Sequence, residues 1–236
     1  MRQEQRRYQF AGSCILFFIA AQTFQELATR FWIPDAHGPE HELLIYLLPM
    51  DRARALLILS SILLLVIPYI AIAMRYWSAT PIAALTGLIA GISFIGFEFT
   101  ARSMDFFVVG QRWANSFRTS GSPVEKAMIV HRYLLWSDMA RGIYFEIMLS
   151  FLLASCAFLY ATLQDQDRWS RLASLAFAIN ILRLLGRISS TFAGQTWLDA
   201  LNNSAYFPIV FVINCLLAAW FFHLANSPLS PARVRE

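Results

Sequence analysis

The sequence has few charged residues. Of its 236 residues, 14% are charged, whereas 58% are hydrophobic and 15% are aromatic. A soluble globular domain carries about 25% charged residues, so this composition cannot supply an ordinary water-exposed surface. A separate soluble domain would need about 100 residues free of long apolar runs, and the chain has no such stretch. The composition therefore predicts a protein that lies in a lipid bilayer with almost no soluble domain.

Lysine and cysteine are also scarce. Lys126 is the only lysine, and although the net charge is +4 no basic block is present. This argues against a nucleic-acid partner and for contact with anionic membrane lipids. The three cysteines lie in apolar runs without C-x-x-C spacing, so we expect buried thiols: Cys14, Cys156 and Cys215. His37 and His41 have i, i+4 spacing but lie in a loop rich in proline and glycine, so no metal site is predicted.

Apolar segments long enough to cross a bilayer occur six times along the chain. A span needs about 20 apolar residues, and the predicted spans are residues 10–29, 55–74, 81–100, 140–163, 169–193 and 205–225. Aromatic and arginine residues alternate over residues 106–118, which is typical of an interfacial helix. The predicted fold class is therefore all-α. It is a single transmembrane domain over residues 1–236, a polytopic helix bundle with an interfacial helix between spans three and four.

Arginines near the ends of the spans indicate an orientation. With an even number of spans, one side of the membrane would hold Arg2, Arg6, Arg7, Arg75, Arg168, Arg171, Arg233 and Arg235. The opposite side also carries many arginines, mostly within residues 101–139. The first helix and the short loops usually set orientation. We therefore expect a multi-pass protein of the cell inner membrane with both termini in the cytoplasm.

The fifth span contains a polar stripe within an apolar helix. The stripe consists of Asn180, Arg183, Arg187 and Thr191. Their 3–4–4 spacing places them on one helical face. An arginine at the centre of a span costs about 2.5–3.5 kcal/mol on insertion. The helix should therefore need partners for its arginines inside the bundle.

Acidic and polar residues near the ends of three other spans are the candidate partners. They are Gln22, Glu26 and Arg30 in span one, Glu98, Arg102 and Asp105 after span three, and Asp138, Arg141 and Glu146 before span four. In an up-and-down bundle these ends lie on the same side of the membrane as the end of span five. We therefore expect one cluster of charges in that half of the membrane, with Arg183 deeper: Glu26, Glu98, Arg102, Glu146 and Arg187.

Two interpretations of this cluster are open. In the first, it is a ligand pocket in which Arg183 and Arg187 hold an anionic group, because intramembrane ionisable residues often mark function. Asn180, Arg102 and Glu26 would complete the ligand-binding set. Glu98 and Glu146 would be the catalytic acid–base candidates. The expected ligand is an amphipathic small molecule, isoprenoid- or acyl-lipid-like, with an anionic end.

In the second interpretation the charges form structural ion pairs that only fix helix contacts. The chain would then be a non-catalytic accessory subunit or scaffold with a membrane protein partner. A small transporter is the third alternative, although the sequence has no inverted repeat of broken helices. The sequence identifies no cofactor, and it leaves open whether the protein is an enzyme.

Overall fold

The computed structural model describes residues 2–195 and 197–227. Arg233 and Arg235, which we expect on the cytoplasmic side, lie outside these ranges. Every regular element within them is helical, which confirms the predicted all-α class. The elements are α1 (Arg2–Phe31), α2 (Pro39–Ile45), α3 (Pro49–Leu64), α4 (Val66–Tyr76), α5 (Pro81–Ser103), a π-helix (Met104–Trp113), α6 (Ala114–Thr119), α7 (Pro123–Leu163), α8 (Ser170–Phe192) and α9 (Trp197–Asn226).

Six helical segments of the described ranges are long and apolar enough to cross a membrane. They are Gln3–Phe31, Pro49–Tyr76, Pro81–Thr119, Pro123–Leu163, Ser170–Phe192 and Ser204–Asn226. The chain is therefore a multi-pass membrane protein. The second segment consists of α3 and α4, which meet at Leu65. Pro68 explains this break, because proline cannot donate a hydrogen bond to the carbonyl four residues earlier and its ring crowds that turn.

Proline also begins four of the helices. Pro39, Pro49, Pro81 and Pro123 each stand in the first helical turn, where a missing N–H costs nothing. At the start of α7 the Ser122 hydroxyl also accepts a hydrogen bond from the main-chain N–H of Glu125, 3.4 Å away. The helix boundaries are thus fixed locally by the sequence.

The helical segment predicted between spans three and four is present, but it continues α5 without a break. The chain passes from α5 through the π-helix into α6. α7 begins soon after and is 41 residues long, about twice the length that a bilayer core requires. These segments and α2 enclose an apolar cluster at one end of the bundle, formed by Leu43, Val109, Phe117, Ile129, Tyr133 and Trp136.

The start of α1 and the end of α9 lie at the opposite end of the bundle. Near the start of α1, the Tyr8 ring lies 6.3 Å from that of Phe221, near the end of α9. We call this the terminal end, and the other the π-helix end. Close packing in the bundle depends on α5, where a Cβ at Gly87 or Gly91 would overlap the rings of Phe158 or Tyr69. Small residues at membrane helix contacts allow such close approach.

The cysteines depart from the prediction of buried thiols. Cys14 is buried and Cys215 is partly buried, whereas Cys156 lies exposed on the surface of α7. An apolar residue in a membrane helix can face lipid as readily as the protein interior, because both surroundings are apolar. The apolar run around Cys156 therefore did not determine which way the thiol points.

Candidate functional site

A cavity lies among all six spans, with its polar part near the π-helix end. It offers about 160 Å³ to the centres of water molecules, whereas a single water needs about 10–15 Å³. The cavity is therefore large enough for a polyatomic ligand. Its polar lining consists of Gln22, Tyr69, Glu98, Arg102, Tyr144, Asn180, Arg183, Arg187, Tyr206 and Asn214. The other lining residues are apolar.

Arg183 lies near the middle of α8 and faces this cavity. It follows Ser170 by about 20 Å along the helix at 1.5 Å per residue. Its Nε donates a hydrogen bond to Oδ1 of Asn180, 3.1 Å away. Its guanidinium carbon lies 5.7 Å from the ring centre of Phe151 and 5.5 Å from that of Tyr206. In the part of the chain that the structure describes, no carboxylate lies within 4.0 Å of Arg183.

Asn180 is the buried residue that orients Arg183. Its Nδ2 donates to the Ser155 hydroxyl on α7, 2.8 Å away. The Ser155 hydroxyl in turn donates to the main-chain oxygen of Phe151 at 2.8 Å. The carboxamide nitrogen is thus held by α7, so the oxygen points to the arginine. A neutral dipole therefore positions the Arg183 charge without neutralising it.

Arg187 lies one helical turn beyond Arg183 and faces the same cavity. Its Nε donates a hydrogen bond to the Tyr144 hydroxyl of α7, 3.3 Å away. The two arginines are about 6 Å apart along the helix axis. Successive guanidinium groups on one helical face can bind one anionic group by charge-assisted hydrogen bonds.

Glu98 and Arg102 form an ion pair on α5. The Arg102 Nε lies 3.0 Å from the Glu98 Oε1, and the side chains are 41% and 15% exposed. Among the described residues that line the cavity, Glu98 is the only carboxylate, against three arginines. With these groups ionised, the described residues of the lining carry a formal excess of two positive charges.

The structure places five of the seven predicted site residues around one cavity: Glu98, Arg102, Asn180, Arg183 and Arg187. Glu146 and Glu26 are not among the lining residues. Glu146 is exposed on α7, because the cavity-facing residues of that helix, Tyr144, Ile147, Met148 and Phe151, occupy a different face. Glu26 forms an ion pair with Arg30 on its own helix, and Gln22, one turn earlier, takes the place at the cavity.

Sequence reasoning missed two tyrosines of the cavity. Tyr144 accepts a hydrogen bond from Arg187, and the Tyr206 ring lies against Arg183. Tyrosines in apolar segments are typical of interface anchors, which hid these two among many other aromatic residues. Tyr144 stands near the start of the predicted span 140–163, and only the structure shows that it lies well inside the long α7.

A second polar cluster, also missed, lies at the terminal end. Oδ2 of Asp165, in the α7–α8 loop, accepts hydrogen bonds from Arg75 at 2.8 Å, from Tyr76 at 3.0 Å and from Ser170 at 2.8 Å. Oδ1 of Asp165 accepts from the main-chain N–H of Asp167 at 3.1 Å. Burial alone would raise the pKa of Asp165, but the Arg75 charge and these hydrogen bonds hold that pKa below its ordinary value.

Arg75 lies at the same end of the bundle as Arg7, the end at which the sequence places it, but it is not exposed there. Arg75 and Asp165 are both buried. Both oxygens of Asp165 are bonded within the protein. The cluster therefore joins span two to the loop after span four and serves as a structural link.

The fold and the cavity together define a class of protein. It is a multi-pass membrane helix bundle with a positively charged internal cavity. Comparison of the chain with protein-family models, with curated proteins and with solved structures found no match. The function is therefore argued from the cavity itself.

Proposed function

We propose that the cavity binds an amphipathic small molecule, isoprenoid- or acyl-lipid-like, with an anionic end. The observation that carries this proposal is Arg183, a charge held inside the bundle by a carboxamide and two rings. Arginine stays protonated in proteins. A charge at that depth is costly and typically marks a binding site or an ion path. An anionic ligand would supply the counter-charge that no carboxylate of the described residues supplies to Arg183 within 4.0 Å.

The rest of the cavity suits the apolar part of such a ligand. Its lining away from the arginines includes Leu65, Ile72, Phe177 and Leu217. Along α8, Phe177 lies about 15 Å from Arg187, so the cavity runs parallel to the helices. A chain could lie along this apolar part with its anionic group at Arg183 and Arg187. A mostly apolar pocket with a few convergent polar groups is the usual form of a small-molecule site.

Glu98 is the residue that an acid–base reaction on the bound ligand would use. It lines the cavity beside Arg102, whereas Glu146 and Glu26 lie outside. Binding is the proposed function, and Glu98 is the position at which to look for catalysis. An inactive Glu98→Gln variant that still binds the ligand would extend the proposal from binding to catalysis.

We propose the cell inner membrane as the location, with both termini in the cytoplasm. The terminal end holds Arg6 and Arg7 in the first helix, Arg168 in a short loop and Arg171 at the start of α8, which supports this orientation. The polar part of the cavity would then lie towards the outer side of that membrane.

Native mass spectrometry of the gently solubilised protein tests the proposal. The wild type is compared with Arg183→Leu/Arg187→Leu, and Arg168→Leu/Arg171→Leu serves as the matched control. The control removes the same charge at the terminal end, where both residues are exposed. We expect a defined small amphiphile on the wild type and on the control, and its loss from a folded cavity variant.

The same experiment separates the alternatives. Bare protein in all three samples, or the same phospholipids on all three, would contradict the binding proposal. That result would favour the non-catalytic accessory subunit or scaffold, in which the charges fix helix contacts. A bound amphiphile that persists without the two arginines would contradict their proposed role.

A further inference from the structure

A second, smaller cavity lies at the π-helix end, next to the first. It offers about 70 Å³ to the centres of water molecules. Its lining consists of Gln25, Tyr46, Asp51, Arg52, Arg54, Ala55, Ile58, Arg102, Asp105, Phe106, Gly110 and Gln111. Arg102 lines both cavities. The two spaces are therefore neighbours that share the side chain of one cation.

The second cavity lies at the depth of lipid headgroups. Trp77 and Pro81 mark one membrane interface at the start of α5. Arg102 follows Pro81 by about 32 Å along the helix at 1.5 Å per residue, while the hydrocarbon core is about 30 Å thick. Arg102 therefore lies at the far edge of the core, and the second cavity, beyond it, lies in the headgroup layer.

The chemistry of the second cavity differs from that of the first. Its ionisable groups have both signs: Asp51 and Asp105 lie with Arg52, Arg54 and Arg102. Asp51 is already paired with Arg54 at 2.6 Å. Such a lining offers hydrogen-bond donors and acceptors without a strong field of one sign. It suits a neutral or zwitterionic polar group rather than a second anion.

The π-helix builds one wall of this cavity. It supplies Asp105, Phe106, Gly110 and Gln111. Asp105 is fixed by a hydrogen bond from the Trp136 indole nitrogen, 2.8 Å away. Gly110 packs against Tyr46, whose ring would lie 3.5 Å from a Cβ at that position. Segments of π-helix occur frequently at functional sites, and this one forms a wall with defined polar groups.

We propose that the second cavity is the headgroup subsite of the ligand held in the first. The ligand would have its chain in the first cavity, its anion between Arg102 and the α8 arginines, and a further polar group beyond. Its class is then a phosphodiester-type lipid, in which a hydroxyl- or amine-bearing substituent follows the phosphate, rather than a lipid that ends in its anion. This inference rests on the proposed function and narrows its ligand class.

A bulky side chain introduced on α3, where it would fill the second cavity, tests the proposed subsite. Ala55 lines the cavity, whereas Ala53, on the same helix, is exposed and outside it. The full-length proteins with Ala55→Phe and Ala53→Phe are compared with the wild type in detergent. The probes are a lysophosphatidylglycerol, a methyl-esterified alkyl phosphate of the same chain length and the same single negative charge (called the alkyl phosphate below), and glycerol phosphate without a chain. Equilibrium affinity is measured for each.

We expect the wild type to bind lysophosphatidylglycerol more tightly than the alkyl phosphate. Ala55→Phe should weaken the affinity for lysophosphatidylglycerol about tenfold, which is the effect of losing one or two hydrogen bonds to the ligand. The same variant should leave alkyl phosphate affinity within about twofold, a change of under 0.5 kcal/mol. Ala53→Phe should change neither affinity, and glycerol phosphate should compete only weakly because it leaves the apolar cavity unfilled.

Other results would overturn the subsite. Equal weakening of both chain-bearing probes by Ala55→Phe would mean a general disturbance near Arg102, and no weakening of either would mean that the second cavity takes no part. Glycerol phosphate binding as tightly as the lipid would remove the role of the first cavity. A wild type that binds neither amphiphile, or that binds glycerol phosphate as tightly as the lipid, would reject the proposed function itself, whereas the two results with Ala55→Phe reject only the subsite.

Discussion

At the scale of single residues, Asn180 decides whether the Arg183 charge is left un-neutralised in the cavity. It positions Arg183 through an oxygen that carries no formal charge, and its nitrogen is held by Ser155. An aspartate at this position would also bind the guanidinium but would neutralise it. Asparagine at position 180 therefore leaves the Arg183 charge available to a ligand, whereas an aspartate would use that charge in a contact within the helix.

The substitution Asn180→Asp should lower the affinity for an anionic amphiphile about tenfold or more, since removing one unit of favourable charge from a buried site costs at least about 1.4 kcal/mol. Thermal stability should be retained, because the new carboxylate pairs with Arg183. Asn115→Asp, outside the cavity on α6, adds the same charge as a control. Unchanged ligand affinity in Asn180→Asp would contradict the proposed role of Arg183.

Asp165 gives the terminal end a pH dependence. Its pKa in the folded protein is lower than in the unfolded chain, where an aspartate has a pKa of about 3.9. Its stabilising contribution is therefore complete above that value and is lost as the pH falls through the folded-state pKa. We expect the thermal stability of the wild type to decline in this acidic range. Asp165→Asn should remove part of that decline.

The same substitution should also destabilise the protein at neutral pH. It removes the nearer carboxylate of the buried Arg75 and leaves Asp167 at 3.7 Å, so the loss should be at most the cost of breaking a buried pair, about 3–5 kcal/mol. Arg75→Met/Asp165→Asn should recover most of that loss. Thermal unfolding, followed by tryptophan fluorescence, measures both effects. The series runs from about pH 3 to about pH 8, so that it includes the unperturbed pKa of aspartate. Identical acid profiles for wild type and Asp165→Asn would contradict the assignment.

At the scale of elements, α5 does two jobs along one face, because Gly87, Gly91, Glu98 and Arg102 follow one another at helical spacing. Its glycines admit the rings of Phe158 and Tyr69 from α7 and α4, while Glu98 and Arg102 face the cavity. Tyr69 itself lines the cavity. Close packing at Gly91 and the shape of the binding space are therefore coupled through one aromatic ring.

Gly91→Ala should destabilise the protein by about 1–3 kcal/mol, the usual effect of overpacking a tight contact. Gly96→Ala is the matched control, because a Cβ at Gly96 meets nothing within 4 Å. Alanine favours a helix over glycine, so the control should be neutral or slightly stabilising. Thermal unfolding of both variants in the same detergent makes the comparison. Equal effects would mean that Gly91 is not a close contact.

At the scale of the whole molecule, the two ends of the bundle differ in what they do. The terminal end is closed by Asp165 and the groups that bond to it. The π-helix end holds the polar part of the first cavity and all of the second. A ligand would therefore have its polar group at the end where α2, the π-helix and α7 extend.

Labelling of introduced cysteines tests the proposed orientation. Arg168→Cys places a thiol in the loop at the terminal end, and His37→Cys places one in the loop before α2 at the π-helix end; both positions are exposed. If the termini are cytoplasmic, a membrane-impermeant maleimide should label only His37→Cys in intact spheroplasts. Both should be labelled after the cells are opened, and the reverse pattern would invert the orientation. The wild type measures labelling of native cysteines.

The spans were predictable from the sequence because each is a long apolar run, and no tertiary information is needed to find such a run. The meeting of Glu98, Arg102, Arg183 and Arg187 followed from alternation of the spans and from helical spacing. The sequence did not predict that Glu146 lies outside the cavity. α7 is apolar on most sides, so its sequence does not mark which face meets the bundle and which meets lipid.

The contacts of Arg75 were not predictable for a different reason. Asp165 belongs to a short loop 90 residues further along the chain, and no periodicity connects a loop carboxylate to an arginine in another span. Only the fold brings the two together. Local spacing could reveal partners along one helix, such as Glu98 and Arg102, but not partners across the bundle.

The π-helix has a consequence for how the chain tolerates insertions and deletions. Its wider turns carry more residues per turn than an α-helix, so Met104–Trp113 stores extra length within an otherwise continuous rod. Deleting one residue there would rotate everything that follows relative to α5 by somewhat less than the roughly 100° per residue of an α-helix. Phe117 would then turn away from Leu43 and the apolar cluster. The length of the π-helix therefore sets the direction in which the side chains of α6 point.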